Sequence, residues 1–201
     1  MKFRGAPFRL LLWLFCGFLV LSAATAARFS TVIIDAGHGG KDKGAYWGGV
    51  RESTLNLGVA RELEACLKKR GIRTVMTRRS DVFISLRGRA NIANRYRNAV
   101  FVSIHFNASR NTRICGAETY YWGNQGRVLA GAIQRRLPAR LKTYNRGIRK
   151  RGLAVLVHTR CPAVLVECGF MSNRNERQRC ATRWYQQTAA RGIYDALMAY
   201  R

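Results

Sequence analysis

Short β-branched runs alternate with longer amphipathic segments along most of this 201-residue chain. Six runs predict β-strands, at residues 31–35, 72–77, 100–105, 117–121, 153–157 and 163–167. Helical spacing of apolar residues predicts four main helices, over residues 53–70, 85–98, 124–142 and 181–200. This alternation is typical of an α/β fold with helices on both faces of the sheet. We therefore expect one domain built on a mixed, mostly parallel central sheet of about six strands.

The N-terminal 26 residues have the three parts of a secretory signal. Residues 1–9 carry three cations and no acid, residues 10–21 are apolar or small, and residues 24–26 (ATA) offer a cleavage site. Twelve helical residues span only about 18 Å, less than a hydrocarbon core of about 30 Å, which favours a cleaved signal over a retained anchor. We expect export to the periplasm or the extracellular space, no stable membrane span after cleavage, and a mature domain over residues 28–201.

The charge balance narrows the choice of partners. Thirty-six Lys and Arg oppose ten Asp and Glu, and the net charge of +26 falls to +23 when residues 1–26 are removed. On charge alone, a nucleic acid, a membrane surface or an acidic polymer could each be the partner. No nucleic-acid-binding motif is present and the cations are spread along the chain, so we do not expect a nucleic acid partner.

Cysteine usage does not indicate a disulfide scaffold or a zinc finger. Five cysteines remain after residue 26, namely Cys66, Cys115, Cys161, Cys168 and Cys180, and none forms a CxxC pair. Their density is too low for a disulfide-stapled domain, and their spacing does not match a four-cysteine zinc site. The sequence does not determine which of these cysteines, if any, form disulfides.

Polar side chains follow the ends of three predicted strands. His38 lies in the Gly-rich loop after the first strand, and His105 and Glu167 end the runs VFVSIH and AVLVE. Glu52 stands just before the first helix. The carboxyl ends of strands in open α/β sheets are where reacting groups collect. Two imidazoles and a carboxylate form a ligand set that leaves an open zinc position for water, and Glu167 could then move a proton.

Each of these residues also has an ordinary structural interpretation. A histidine at a strand end is often only hydrogen bonded, Glu52 suits a helix N-terminus, and Glu167 could pair with an arginine. The spacing of His38, Glu52 and His105 is no compact zinc signature. The residues alone therefore leave both interpretations open.

Four segments together resemble the type 3 family of N-acetylmuramoyl-L-alanine amidases. These are VIIDAGHGGKDKGA, RESTLNLGVARELEACLKKRG, VFVSIHFNAS and PAVLVECGFMSN, in the order found in that family. The resemblance extends from about Thr31 to the C-terminus. It implies a zinc-dependent bacterial cell-wall hydrolase with a mixed sheet flanked by helices, so that residues 28–201 would be the amidase catalytic domain.

The resemblance also implies roles for particular residues. His38, Glu52 and His105 match the family's ligands for one Zn²⁺ ion, and Glu167 matches its catalytic glutamate. The implied substrate is the amide bond between N-acetylmuramic acid and L-alanine of peptidoglycan. We expect a monomer whose basic surface also contacts other anionic envelope polymers. His158 matches no ligand, and we interpret it as structural or substrate-facing.

Two other functions remain as alternatives. A different zinc peptidase of peptidoglycan would use the same metal chemistry, and a non-catalytic basic envelope-binding protein would use the charge alone. The stretch between Glu118 and Leu153 is too short for the long regulatory helix of some relatives, so we expect activity without an activating partner.

Overall fold

A computed structural model describes residues 28–201, which contain eight strands in two sheets. In chain order the strands are β1 (Thr31–Ala36), β2 (Tyr46–Trp47), β3 (Val50–Arg51), β4 (Arg73–Met76), β5 (Ala99–Asn107), β6 (Ala117–Trp122), β7 (Asn145–Lys150) and β8 (Ala163–Phe170). The central sheet has the order β4-β1-β5-β8-β6-β7, and only the β6–β8 pairing is antiparallel. The expected mixed, mostly parallel sheet of six strands is confirmed.

Helices cover both faces of this sheet. They are α1 (Glu52–Lys69), α2 (Leu86–Ala93), α3 (Gly123–Leu141), α4 (Ala154–Val157), α5 (Arg174–Cys180) and α6 (Arg183–Tyr200). Alternate side chains of β1, β5 and β8 point to opposite faces, so Val32, Val102 and Val166 join the large core with α1, α3 and α6. Ile33, Phe101 and Leu165 face the smaller core under α2 and α4. Burial on both faces explains why these strands are continuous apolar runs.

One of the six predicted strands is wrong. Residues 153–157 (LAVLV) form the short helix α4 after an extended Leu153, and Val155 and Leu156 are buried in the smaller core. An apolar run of five residues fits either a buried strand or one buried helical turn, because periodicity cannot separate them at this length. The sixth strand is instead β7, an edge strand of sequence NRGIRK. Edge strands often carry charged residues, which discourage pairing with other chains. Because β7 is charged, a search for apolar runs does not detect it.

The other predicted elements are present, although α2 ends at Ala93 rather than at residue 98, and three short elements, β2, β3 and α5, were missed. The Ser85 hydroxyl accepts a hydrogen bond from the Gly88 amide and caps α2, as its position before the helix predicts. The β2–β3 hairpin turns at Gly48 and Gly49, both with positive φ, which is the Gly-Gly signature of a tight hairpin. Helix α5 precedes α6 as a separate element.

The predicted signal over residues 1–26 lies outside the described residues. Within residues 28–201, no helix combines the length and the apolar character that a bilayer span requires. The N-terminal boundary of the expected mature domain therefore stays a prediction.

Candidate active site

Three predicted ligands lie together at the carboxyl edge of the parallel strands. His38 follows β1, Glu52 is the first residue of α1, and His105 is on β5. One candidate ligand atom from each of the three lies within 4.8 Å of the others. The two imidazole rings are 4.9 Å apart and nearly perpendicular. A loop, a helix start and a strand therefore bring together three residues, the first and last of which are 67 positions apart in the sequence.

Glu52 is the centre of this cluster. Its Oε1 lies 2.9 Å from His105 Nδ1 and 3.2 Å from His38 Nε2, and its Oε2 accepts a hydrogen bond of 2.8 Å from the Ala45 amide. Burial of the carboxyl opposes its ionisation, but the hydrogen bonds from His105 and His38 outweigh burial and hold the pKa of Glu52 well below its usual range. Glu52 is thus an ionised carboxylate between two imidazoles.

Asp42 orients His38 and was missed by sequence reasoning. Its Oδ2 lies 2.8 Å from His38 Nδ1, which leaves Nε2 directed at Glu52. A carboxylate is one of the common partners of the outer ring nitrogen of a metal-binding histidine. Burial lowers the pKa of His38, but its contacts with Glu52 and Asp42 raise it above the usual value overall. The position of Asp42 in the segment GHGGKD, four residues after His38, was the available signal.

Glu167 stands beside the cluster on the neighbouring strand. It is the register partner of His105 in the parallel β5–β8 pair, and the two side chains therefore lie on the same face of the sheet. Its Oε2 is buried and has no hydrogen-bond partner among the described residues. Burial, followed by the charges of Glu52 and Glu118, raises the pKa of Glu167 well above its ordinary value. A buried carboxyl with a free oxygen can accept and return a proton at this site.

A second glutamate lies next to Glu167 but is engaged elsewhere. Glu118 on β6 is the antiparallel register partner of Glu167. Its Oε1 accepts hydrogen bonds from Asn107 Nδ2 at 2.8 Å and from the Tyr120 hydroxyl at 2.6 Å. Arg149 Nε lies 3.4 Å from its other oxygen. Within residues 28–201, Oε2 of Glu118, like Oε2 of Glu167, is buried without a hydrogen-bond partner, but Glu118 is held through its Oε1 and lies beside Arg149, whereas Glu167 has no hydrogen bond or ion pair of this kind.

Two buried arginines hold the backbone of the His38 loop. Arg78 donates to the carbonyls of Ala36 and Gly37, each at 2.8 Å. Arg89 bonds the Asp35 carboxylate at 2.8 Å and the His38 carbonyl at 2.7 Å. His38 has a left-handed backbone with φ of 58°, an unfavourable conformation for a residue other than glycine. The arginine contacts fix the loop in this conformation, which directs the imidazole into the cluster.

Replacing Arg89 with Met is expected to lower the free energy of unfolding by about 3–5 kcal/mol, because the buried Asp35 carboxylate would lose its ion-pair partner. Arg89 is 2% exposed and Asp35 is 1% exposed, so solvent cannot compensate. Urea unfolding followed by circular dichroism measures the change. The matched control is Arg87→Met, an exposed position on the same helix, for which we expect less than about 0.5 kcal/mol. Equal losses in both variants would contradict the assigned role of Arg89.

Glycines permit the close packing of the cluster. A Cβ atom on Gly37 would lie 2.2 Å from His105 Nε2, and one on Gly44 would lie 2.5 Å from Glu52 Oε2. Any side chain at either position would displace a candidate ligand. These two positions therefore require glycine for steric reasons.

A groove of about 170 Å³ opens beside the cluster. His38 and His105 line it together with the charged residues Asp35, Asp42 and Arg89. Its apolar lining consists of Phe83, Ile84, Leu86, Leu153, Val155 and Leu165. Helix α4, predicted as a strand, thus contributes to the wall of the site. A groove with convergent polar groups and an apolar wall is a typical small-ligand site.

The donor atoms of the cluster suit a metal ion. Two imidazoles and one carboxylate are the ligands of many catalytic zinc sites, which leave a fourth coordination position open for water. The Glu167 oxygen, which has no hydrogen-bond partner among the described residues, lies where a proton acceptor for such a water is expected.

His158 lies apart from this cluster: it is exposed at the end of α4, and its carbonyl accepts a hydrogen bond from Asn94. The five described cysteines are all free, and none belongs to the cluster.

The comparisons with known proteins agree with this geometry. A sequence profile described as N-acetylmuramoyl-L-alanine amidase matches residues 32–199. The chain is 34% identical over 174 residues to the N-acetylmuramoyl-L-alanine amidase LytC of Bacillus subtilis (85% of this chain, 35% of LytC). It therefore spans about a third of that relative's length.

Solved structures show the same fold. The catalytic domain of CwlV, an N-acetylmuramoyl-L-alanine amidase from Bacillus (Paenibacillus) polymyxa var. colistinus, superposes with a TM-score of 0.83 at 35% identity (86% of this chain, 98% of that domain). An N-acetylmuramoyl-L-alanine amidase from Clostridium difficile 630 gives 0.82 at 37% identity (86% and 97%). The profile match covers more than half of the chain. The expected enzyme class, N-acetylmuramoyl-L-alanine amidase, is therefore confirmed. The chain belongs to the N-acetylmuramoyl-L-alanine amidase family.

Proposed function

We propose that this protein is a zinc-dependent hydrolase of the amide bond between N-acetylmuramic acid and L-alanine in peptidoglycan. The observation that carries the proposal is the His38–Glu52–His105 cluster with Glu167 beside it, at the carboxyl edge of the sheet in a member of this family. His38, Glu52 and His105 would hold one Zn²⁺ ion. When bound, that ion supplies a Lewis acid for the amide carbonyl and for the attacking water.

Glu167 would carry the proton transfer. Its free oxygen accepts a proton from the attacking water, and the same carboxyl then gives that proton to the nitrogen of L-alanine as the amide bond breaks. The amide carbon gains the hydroxyl, so the products are a lactyl carboxylate and a peptide with a free amine. Asp42 positions His38 during this reaction, because it fixes the orientation of the imidazole ring.

Product analysis separates this proposal from the alternative of a zinc peptidase. An amidase acting on purified muropeptides releases intact stem peptides with a new L-alanine amine, which amine labelling and mass analysis detect. Cleavage inside the stem peptide would support the peptidase instead. The non-catalytic envelope-binding alternative predicts no new amine at all; all four matching side chains are present, which favours an enzyme.

Location and regulation belong to the same proposal. We propose that residues 1–26 are a signal peptide and that the catalytic domain over 28–201 acts as a monomer in the periplasm or outside the cell. His38 and His105 side chains are 24% and 15% exposed, so the described domain leaves the cluster open to substrate. Helix α3 packs against β6 and α6 rather than over the cluster. This arrangement supports activity without an activating partner.

Salt is expected to weaken attachment to the cell wall. The net charge of +23 would hold the domain on anionic peptidoglycan and other anionic envelope polymers. Raising the ionic strength from 0.1 to 1 M shortens the screening length from about 10 to about 3 Å. We expect binding to purified sacculi to fall at least about tenfold, measured by co-sedimentation. If binding to sacculi did not change with salt, the basic residues would be solvated surface groups that do not contribute to attachment.

A further inference from the structure

The acidic side chains of this domain contribute little to its surface. Six of the ten carboxylates are buried, namely Asp35, Glu52, Glu64, Glu118, Glu167 and Glu176. Of the 33 Lys and Arg in residues 28–201, only Arg78 and Arg89 are buried. The side chains that are not buried therefore include 31 cations and four carboxylates, a formal charge of +27 compared with +23 for the whole domain.

The two ends of the central sheet differ in charge. At the carboxyl edge, with the candidate active site, the partly exposed Asp42 contacts His38, and the exposed Asp81 accepts a hydrogen bond from the Gly40 amide. At the opposite end, where β1, β5 and β8 begin, an open hollow of about 780 Å³ is lined by Arg28, Arg97 and Arg160 and by no carboxylate of the described residues. We call this hollow and its rim the basic end.

Two of the three arginines of the basic end make no internal contact in the described domain that accounts for them. The side chains of Arg97 and Arg160 are exposed and form no hydrogen bond or ion pair with any residue from 28 to 201. Arg28 stacks over the Tyr200 ring at 5.1 Å, which leaves its charge at the rim. Three guanidinium groups without a carboxylate partner in the described part of the chain therefore surround one open hollow, an arrangement that suits anionic groups such as phosphates.

Apolar and aromatic side chains accompany these cations. Val128, 53% exposed, lines the hollow, and Trp122, 42% exposed, ends β6 opposite the first residue of β8. Lys150 Nζ lies 4.9 Å from the Trp122 ring. An exposed tryptophan among cations is typical of protein surfaces at a membrane–water interface. This pattern favours a lipid surface over a soluble polyanion.

In the sequence, the basic end follows the proposed signal peptide closely. The apolar run 10–21 is joined to Arg28 through residues 22–27 only. Because a chain extends at most about 3.6 Å per residue, these six residues reach about 22 Å. The proposed cleavage after residue 26 would take place at the membrane, so Arg28 and the basic end would lie within two residues of the point at which the chain is released from the bilayer.

We propose that the basic end docks on the anionic phospholipid headgroups of a bilayer and directs the catalytic edge away from it. This inference rests on the proposed export and wall function. Ala99 and His105 on β5 are six residues apart, so the active site would stand about 20 Å above the docked end. Docking would thereby hold the enzyme at the membrane with its active site facing the peptidoglycan layer.

Vesicle binding by residues 28–201 tests the docking surface directly. These residues contain the continuous sheet and both cores, and the matched domain of CwlV was solved as an isolated catalytic domain, so this part folds on its own. At 0.1 M salt we expect co-sedimentation with vesicles of phosphatidylglycerol and phosphatidylcholine, and at least about tenfold weaker binding to phosphatidylcholine alone.

A matched pair of charge reversals locates the surface. Arg97→Glu with Arg160→Glu should weaken binding to the anionic vesicles at least tenfold. The control is Arg113→Glu with Arg174→Glu, which makes the same charge change at exposed positions toward the catalytic edge and should weaken binding less than threefold. Both variants should keep the wild-type circular dichroism spectrum.

Three results would overturn the proposal: no binding of the wild type to anionic vesicles, equal losses in the two variants, or binding of soluble polyphosphate at the basic end without vesicle binding. Digestion of sacculi is measured in parallel. A domain that digests sacculi but does not bind vesicles would contradict the docking alone, whereas one that binds vesicles without releasing L-alanine amines would contradict the proposed function.

Discussion

Replacing Glu167 with Gln is expected to lower turnover about 10²- to 10⁴-fold while the metal content stays at the wild-type level. The amide has nearly the shape of the carboxyl but cannot accept the proton of the attacking water. Glu167 is 8% exposed and is not one of the clustered ligands, so this change should leave the metal cluster intact. Kinetics on muropeptides and metal analysis of the same preparation measure both parts of the prediction.

Glu118→Gln is the matched control for Glu167→Gln. It also replaces a buried carboxyl on the neighbouring strand, but Glu118 is engaged by Asn107 and Tyr120. We expect a loss of less than about tenfold, because Glu167 keeps its proton-accepting oxygen. If Glu118→Gln were the more damaging change, the proton transfer would have to be reassigned to Glu118.

Replacing His105 with Ala is expected to remove both the metal and the activity. The change deletes one of three ligand positions and leaves Glu52 without the imidazole 2.9 Å from its Oε1. Zn²⁺ added to wild-type protein should raise its melting temperature, because a ligand that binds only the folded state stabilises it. The variant should show no such rise, and its turnover should fall at least about 10³-fold.

His158→Ala is the control for this experiment. His158 is the third histidine of the chain, and it lies outside the cluster at the end of α4. We expect its metal content, its response to Zn²⁺ and its turnover to match the wild type. Retention of zinc by His105→Ala, or loss of zinc by His158→Ala, would contradict the assigned ligand set.

Apolar patterning was sufficient to predict most of the sheet and the place of the site. The runs containing β1, β5 and β8 are buried on both faces, and such strands are continuous in sequence. Because the carboxyl ends of parallel strands meet at one edge of a sheet, the runs alone predict that His38, His105 and Glu167 are neighbours. Edge strand β7 and helix α4 could not be predicted in this way, because one is polar and the other is too short to show a helical period.

The residues that support the site were hidden for another reason. Arg78 and Arg89 act by donating to backbone carbonyls of the His38 loop, and such contacts leave no spacing pattern in the sequence. In a chain with so many arginines, two buried ones cannot be distinguished from the exposed ones by composition. The basic end could not be predicted either. Arg28, Arg97 and Arg160 are far apart in sequence and come together only where the strands of the sheet begin.

Digestion of purified sacculi by residues 28–201, with and without a zinc chelator, tests the central claim most directly. We predict release of intact stem peptides bearing a free L-alanine amine, loss of that release on chelation, and its recovery when Zn²⁺ is restored. The measurement is mass analysis of the soluble products after amine labelling. Release that persists after complete metal removal, or products cut within the stem peptide, would contradict the account.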